Sequence, residues 1–346
     1  MSCVKNMFKP GKLHNFPSKF SIDGFIVAIG FAILLAWLWP VPGSREGWFS
    51  LKAFAHCGIS VVFFFYGVGL SREKLLTHLG NLRLHILIQL STFVVFPVIV
   101  LVAYSLFAGE SDRELWLGTF YLAALPSTVS SSVVMVSLAR GNVPAAIFNA
   151  SLSSLLGIFI TPVRMSLFLS TGNAEFSLAN AILNLCFIVV LPIGLGMLFQ
   201  PTRFGTRVSR HRKKITRFDQ FVVLLIIHTS FCDSFTQNVF AGCTPLKLSV
   251  LCLLLIVLFF TVFGLISLAS RVLKFHRDDR ITALFCGSKK SLIHGTVMAK
   301  VLFHTNASLG MILLPLMLYH AVQLVIVSVI AQNMQKTDND GDDNQH

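Results

Sequence analysis

The chain has 346 residues, of which 54% are hydrophobic and only 12% charged, with 32 phenylalanines and a mean hydropathy of +0.74. A soluble domain carries about twice that charged fraction, so a soluble enzyme or binding domain is excluded, and the many apolar runs of ~20 residues define a polytopic helical membrane protein. The formal charge of +13 does not mark a nucleic-acid binder, because the basic residues sit in short loops between apolar runs rather than on one amphipathic face.

Residues 1–23 read as a basic cytoplasmic tail without the apolar core of a cleavable signal. Ten spans follow in order: Gly24–Trp39, Phe54–Leu70, Leu84–Phe107, Leu115–Ala139, Val143–Leu169, Leu178–Phe199, Phe218–Gln237, Leu246–Leu268, Ile281–Phe303 and Leu309–Ala331. With the N-terminus inside, 20 Lys and Arg residues fall in inner loops and tails, 4 in outer loops, and Arg164, Lys289, Lys290 and Lys300 within spans. The asymmetry places both termini in the cytoplasm. Arg164 and Lys300 fall near outer span ends, where long side chains snorkel to the interface. The seven cysteines lack CxxC spacing, so neither a disulfide framework nor a zinc site is expected.

The basic loop from Gln200 to Arg217 joins two five-helix halves. The first covers residues 24–169. The second begins with span six and its loop at 170–217 and continues through 218–331, ahead of an acidic tail, 332–346, that reads as disordered. An odd number of spans per half turns the second half upside down relative to the first. In such inverted repeats, interrupted spans at corresponding positions point to a binding site near the midplane. Span four is interrupted at Leu125-Pro126-Ser127-Thr128-Val129-Ser130-Ser131-Ser132, and span nine at Gly287-Ser288-Lys289-Lys290-Ser291. Proline removes a backbone donor, and unwound backbone at that depth persists only where it is buried in protein or lines a cavity. Each lysine left in hydrocarbon costs ~2.5–3.5 kcal/mol on insertion scales, so the Lys-Lys pair marks a site.

At these residues the chain resembles the bile acid:sodium symporter superfamily, in the branch of its seventh animal member and the related bacterial symporters. The motifs are Leu84 to Gln89 with Phe96-Pro97; Ala145 to Asn149 with Gly157 to Pro162; Thr229 to Asp233; Cys286 to Leu292; and Pro315 to Gln323. The resemblance implies an all-α fold of ten helices, divided into a core domain in which spans four and nine cross and a panel domain. It also implies secondary transport by alternating access, with an organic anion such as a bile acid and sodium as cargo. Better-known sodium-coupled members carry an acidic residue and a glutamine at the span-nine crossing, where this chain has Gly, Ser and two lysines.

The lysines have three readings. One binds an anionic substrate, with Lys290 favoured; one replaces a bound cation, making transport sodium-independent or proton-linked; one is a structural counter-ion. Candidate substrate contacts are Lys290, Lys289, Ser291, Ser127, Thr128, Ser130 and Ser131. Asn149, Ser132, Asp233, Ser288 and Gln323 are candidates for ion coupling. His85 and Gln89, spaced four apart, and His320 and Gln323, spaced three apart, share helix faces. Together with His294 they are candidates for polar packing or a proton relay. No cofactor beyond a sodium ion is implied, and the partners are a small organic anion and the bilayer, in a bacterial inner membrane. A serine hydrolase built on Ser130–Ser132 lacks G-x-S-x-G and a placed base. A regulatory membrane protein acting on ion homeostasis without transport of its own is the alternative function.

Overall fold

The computed structural model describes residues 24–44, 50–69, 81–107, 113–170, 183, 186–238, 240, 244–303 and 308–343. Among the described residues every regular element is a helix. The first are α1 (Gly24–Leu38), the short α2 (Val41–Ser44) and α3 (Leu51–Gly69). Then α4 (Leu82–Leu90) passes through a π-helical turn, Ser91–Val95, into α5 (Phe96–Phe107). The stretch expected as span four is two helices, α6 (Arg113–Ala124) and α7 (Ser130–Leu138), and α8 (Val143–Ser170) follows. A second π-helical turn, Cys186–Val190, leads into α9 (Leu191–Phe199), and α10 (Arg203–Arg210) carries part of the basic loop. The rest are α11 (Arg212–Thr236), α12 (Pro245–Val272), the split pair α13 (Arg277–Gly287) and α14 (Leu292–Leu302), and α15 (Leu309–Asp343).

Among the described residues, six helical stretches are long and apolar enough to cross a bilayer: Leu51–Gly69, Leu82–Phe107, Val143–Leu169, Lys213–Thr236, Pro245–Val272 and Leu309–Gln335. Gly24–Leu38 and Phe187–Phe199 are shorter apolar helices. The distribution of side chains is that of a membrane solvent. Phe31, Leu106 and Leu246 point outward at 59%, 68% and 73% exposure, while Asn149, Lys289, Lys290 and Gln323 are fully buried. Water would reverse that arrangement; lipid requires it.

Small residues set the tightest helix contacts, as expected where lipid gives helices no hydrophobic reason to associate. A Cβ on Gly67 of α3 would overlap the Ile193 carbonyl, and one on Gly196 of α9 the Phe64 carbonyl. Gly118 brings α6 equally close to Ile312 of α15. At one end of the bundle Asp279 of α13 accepts from two asparagines, Asn81 Nδ2 at 2.7 Å and Asn142 Nδ2 at 2.8 Å. Each asparagine also receives a backbone N–H with its own Oδ1, from Leu84 and Ala145 respectively. One carboxylate thus ties the starts of α4, α8 and α13 together.

Three expectations change. The segment from 332, read as a disordered tail, continues α15 as helix to Asp343; a proline-free polar sequence extends a helix that packing has already nucleated. Lys300 does not snorkel but is buried at 8% exposure on α14. Arg164 is only partly exposed and its Nη1 is buried without a hydrogen-bond partner among the described residues. Both cations sit on helix faces turned toward neighbouring helices, which span position alone does not reveal.

Candidate functional site: the crossing of two broken helices

The interruptions arise from local chemistry. Pro126 has no N–H to continue α6, and Leu125 N turns back to Leu122 O at 3.2 Å. Ser288 closes α13 with its N–H on Leu284 O at 3.3 Å, and Ser291 starts α14 by receiving His294 N on its hydroxyl. The two unwound stretches touch: Ser291 N donates to Pro126 O at 3.0 Å. Helix α8 supports them from the side. Its Gly157 leaves room for the Pro126 ring, whose carbons would lie 2.7 Å from a Cβ there, and its Ser153 Oγ receives Ser127 N at 2.9 Å.

A helix that stops inside a bundle leaves carbonyls with no intrahelical donor. At the end of α13 they are met by hydroxyls. Ser132 Oγ donates to Phe285 O at 3.1 Å and Ser127 Oγ to Cys286 O at 2.6 Å, while Ser288 Oγ adds a second bond, at 2.6 Å, to the Leu284 O that its own N–H already reaches. At the end of α6, Thr161 Oγ1 donates to Ala124 O at 2.8 Å, and Lys290 meets the carbonyls on either side.

The Lys290 ammonium has three N–H donors, and it has three acceptors: Ala123 O, Leu125 O and Thr92 O, each at 2.8 Å. Thr92 O is free because the π-helical turn sends Phe96 N to Ser91 O, and the next residue, Pro97, has no N–H. The Phe96 ring covers the ammonium at 4.3 Å. Gln323 of α15 holds the Lys290 backbone at both ends, receiving its N–H at 2.9 Å on Oε1 and donating to its carbonyl at 2.8 Å from Nε2. Tyr319 and Tyr121 secure the neighbouring carbonyls of Ser288 and Gly295.

Lys289 is equally buried but differently supplied. Its ammonium donates to Ser131 Oγ at 2.7 Å, and Ser131 lies 3.3 Å from Thr128 Oγ1. Thr128 and Ser131 are partly exposed and flank the N-terminal end of α7, where backbone N–H groups point outward.

The other candidates sort themselves around this centre. Asn149 Nδ2 donates to Ala145 O at 2.9 Å and lies 2.8 Å from His85 Nδ1, while Gln89 Nε2 donates to Asn149 O at 3.2 Å. These three bind α4 to α8. His294 contacts Ser291 Oγ at 3.0 Å and meets the Tyr66 ring edge-on at 5.0 Å. His320 joins Gln323 at 3.0 Å and lines an apolar crevice of about 180 Å³ between α1 and α15, with Ile29, Ile33 and Met317. Asp233 lies apart from the crossing, paired with Lys52 of α3 at 2.8 Å.

The structure therefore brings together Lys289, Ser131 and Thr128, and separately Lys290 with Gln323; it spends Ser127, Ser132, Ser288 and Ser291 on backbone ends. The side chain of Ser130 lies outside the described residues. Lys290, the lysine that sequence reading favours for anion binding, has no donor left for an anion. Thr92 and Thr161 escaped that reading, whereas Ser153, which shares a face of its span with Asn149, does contribute a hydroxyl oxygen at the crossing. Only the proline one residue after Phe96 hinted that a carbonyl one turn earlier would be free.

Buried polar groups on two crossed, interrupted helices inside an apolar exterior define a multi-pass membrane transporter. The chain belongs to the SBF-like CPA transporter family, whose model matches residues 23–336. It is 36% identical over 320 residues to the Escherichia coli protein named "Putative symporter YfeH", covering 91% of this chain and 93% of that one. Identity is 36% over 322 residues with "Uncharacterized protein PA2026" of Pseudomonas aeruginosa, covering 93% and 96%. It is 31% over 320 residues with "Sodium/bile acid cotransporter 7" of Xenopus tropicalis, covering 90% and 92%. The expectations of a transporter rather than an enzyme, and of this superfamily, agree with the family match.

Proposed function

We propose that the protein is a secondary active transporter that moves a small organic anion by alternating access, coupled to sodium or protons, in a bacterial inner membrane with both termini cytoplasmic. In this reading the ten spans form two inverted five-helix repeats, with α6/α7 and α13/α14 as equivalent broken spans of a core domain that works against a panel domain. The observation that carries the reading is Lys289: a buried ammonium with one hydroxyl partner among the described residues, beside the N-terminal end of α7 and two partly exposed hydroxyls. A point charge with spare donors next to a positive helix end suits a carboxylate or sulfonate. That one relative is named a sodium/bile acid cotransporter supports an amphipathic, bile-acid-like anion as the first class to try.

The test is binding and uptake by purified protein in liposomes across a panel of organic anions. Uptake driven by an imposed ion gradient, with binding lost in Lys289→Ala and retained in Asp233→Asn, supports the reading. No uptake of any anion under sodium or proton gradients overturns it.

A further inference from the structure

The carbonyls of Thr92, Ala123 and Leu125 converge on one point. Two of them come from the end of α6, where the helix dipole is negative, and the third from the π-helical turn that Pro97 leaves without a donor. The fourth side is closed by the face of Phe96. Neutral carbonyl oxygens at the C-terminal end of a broken half-helix, with an aromatic face above them, are the chemistry of a monovalent-cation site. No carboxylate is among the ammonium's contacts in the described residues, so a counter-ion role has no anion to answer. The contact length of 2.8 Å is that of a charge-assisted N–H···O bond, and Gln323 fixes the backbone from which the chain reaches in.

We infer that Lys290 is a built-in cation: its ammonium permanently fills a carbonyl site for a small monovalent cation, so this site takes no sodium and the transport cycle runs without a sodium ion there. The inference deepens the transporter reading and rests on it for its meaning. A proton would then supply any coupling.

The experiment is thermal unfolding of the purified full-length protein in sodium chloride against choline chloride at matched ionic strength, with no anion substrate added. Three proteins are compared: wild type, Lys290→Ala and Lys290→Met. A ligand that binds only the folded state raises the midpoint saturably. The wild type is expected to unfold at the same temperature in both salts. Lys290→Ala is expected to unfold lower, and to recover saturably with sodium or methylammonium but not with choline. Lys290→Met, whose uncharged chain fills the same channel, is expected to unfold lower and to respond to none of them. A saturable sodium stabilisation of the wild type overturns the inference, and so does a folded Lys290→Ala that ignores both sodium and methylammonium. Should the alanine variant not fold, the wild-type titration and direct ²²Na⁺ binding to the wild type decide: binding at the crossing, competed by methylammonium, overturns it. Because no anion is present, failure here leaves anion uptake to be judged by its own test.

Discussion

The ends of α6 and α13 pose the same physical problem and solve it differently. Both helices stop inside the bundle with carbonyls exposed. The α13 end is met by the hydroxyls of Ser127, Ser132 and Ser288, which are neutral and local. The α6 end is met by Thr161 and by an ammonium that arrives from the opposite broken helix. Hydroxyls complete a backbone without changing the local charge. A lysine adds a charge that the carbonyls, the α6 dipole and the Phe96 face must hold, and it ties the two interruptions to each other. Its neighbour Lys289 has no such cradle among the described residues, where its ammonium meets one hydroxyl, that of Ser131.

The contrast can be broken at several points. Lys290→Met should cost most, on the order of 3–5 kcal/mol, because it leaves three buried carbonyls unmet at once; denaturant unfolding of the purified protein measures it. On the hydroxyl side, Ser127→Ala should cost less, about 1–3 kcal/mol for one orphaned carbonyl, by the same assay. Gly157→Ala probes the support beneath the α6 break. Its new methyl would lie 2.7 Å from the Pro126 ring, so a loss of about 1–3 kcal/mol and weaker anion binding are expected together. Away from the crossing, Asp233→Asn breaks a partly exposed pair with Lys52 and should cost no more than about 1 kcal/mol, with anion uptake intact.

Hydropathy alone exposed the two interruptions, because two lysines in one and a proline followed by serines in the other break otherwise apolar runs; that the two stretches cross was implied only by the family resemblance. The division of labour between the lysines was not legible. Adjacent residues on a regular helix point ~100° apart, but Lys289 and Lys290 lie in the unwound link, where direction is set by the partner elements α6, α7 and α15. Equally hidden was the role of Thr92. Its carbonyl is freed by a π-helical turn, a backbone event of which Pro97 is the one trace in the sequence. Asp233 could be recognised as an acid within a span, yet its partner Lys52 lies on a different helix, far away in sequence. The shared face of His85 and Gln89 followed from their spacing; that both reach Asn149 across α4 and α8 required the fold.

The most direct measurement of the division between the lysines is anion-dependent thermal stabilisation of the wild type and of Lys289→Ala, each in sodium and in choline. The expected result is an anion that raises the wild-type midpoint equally in both salts and has no effect on a stably folded Lys289→Ala. Stabilisation that survives in Lys289→Ala, or that requires sodium in the wild type, would contradict it.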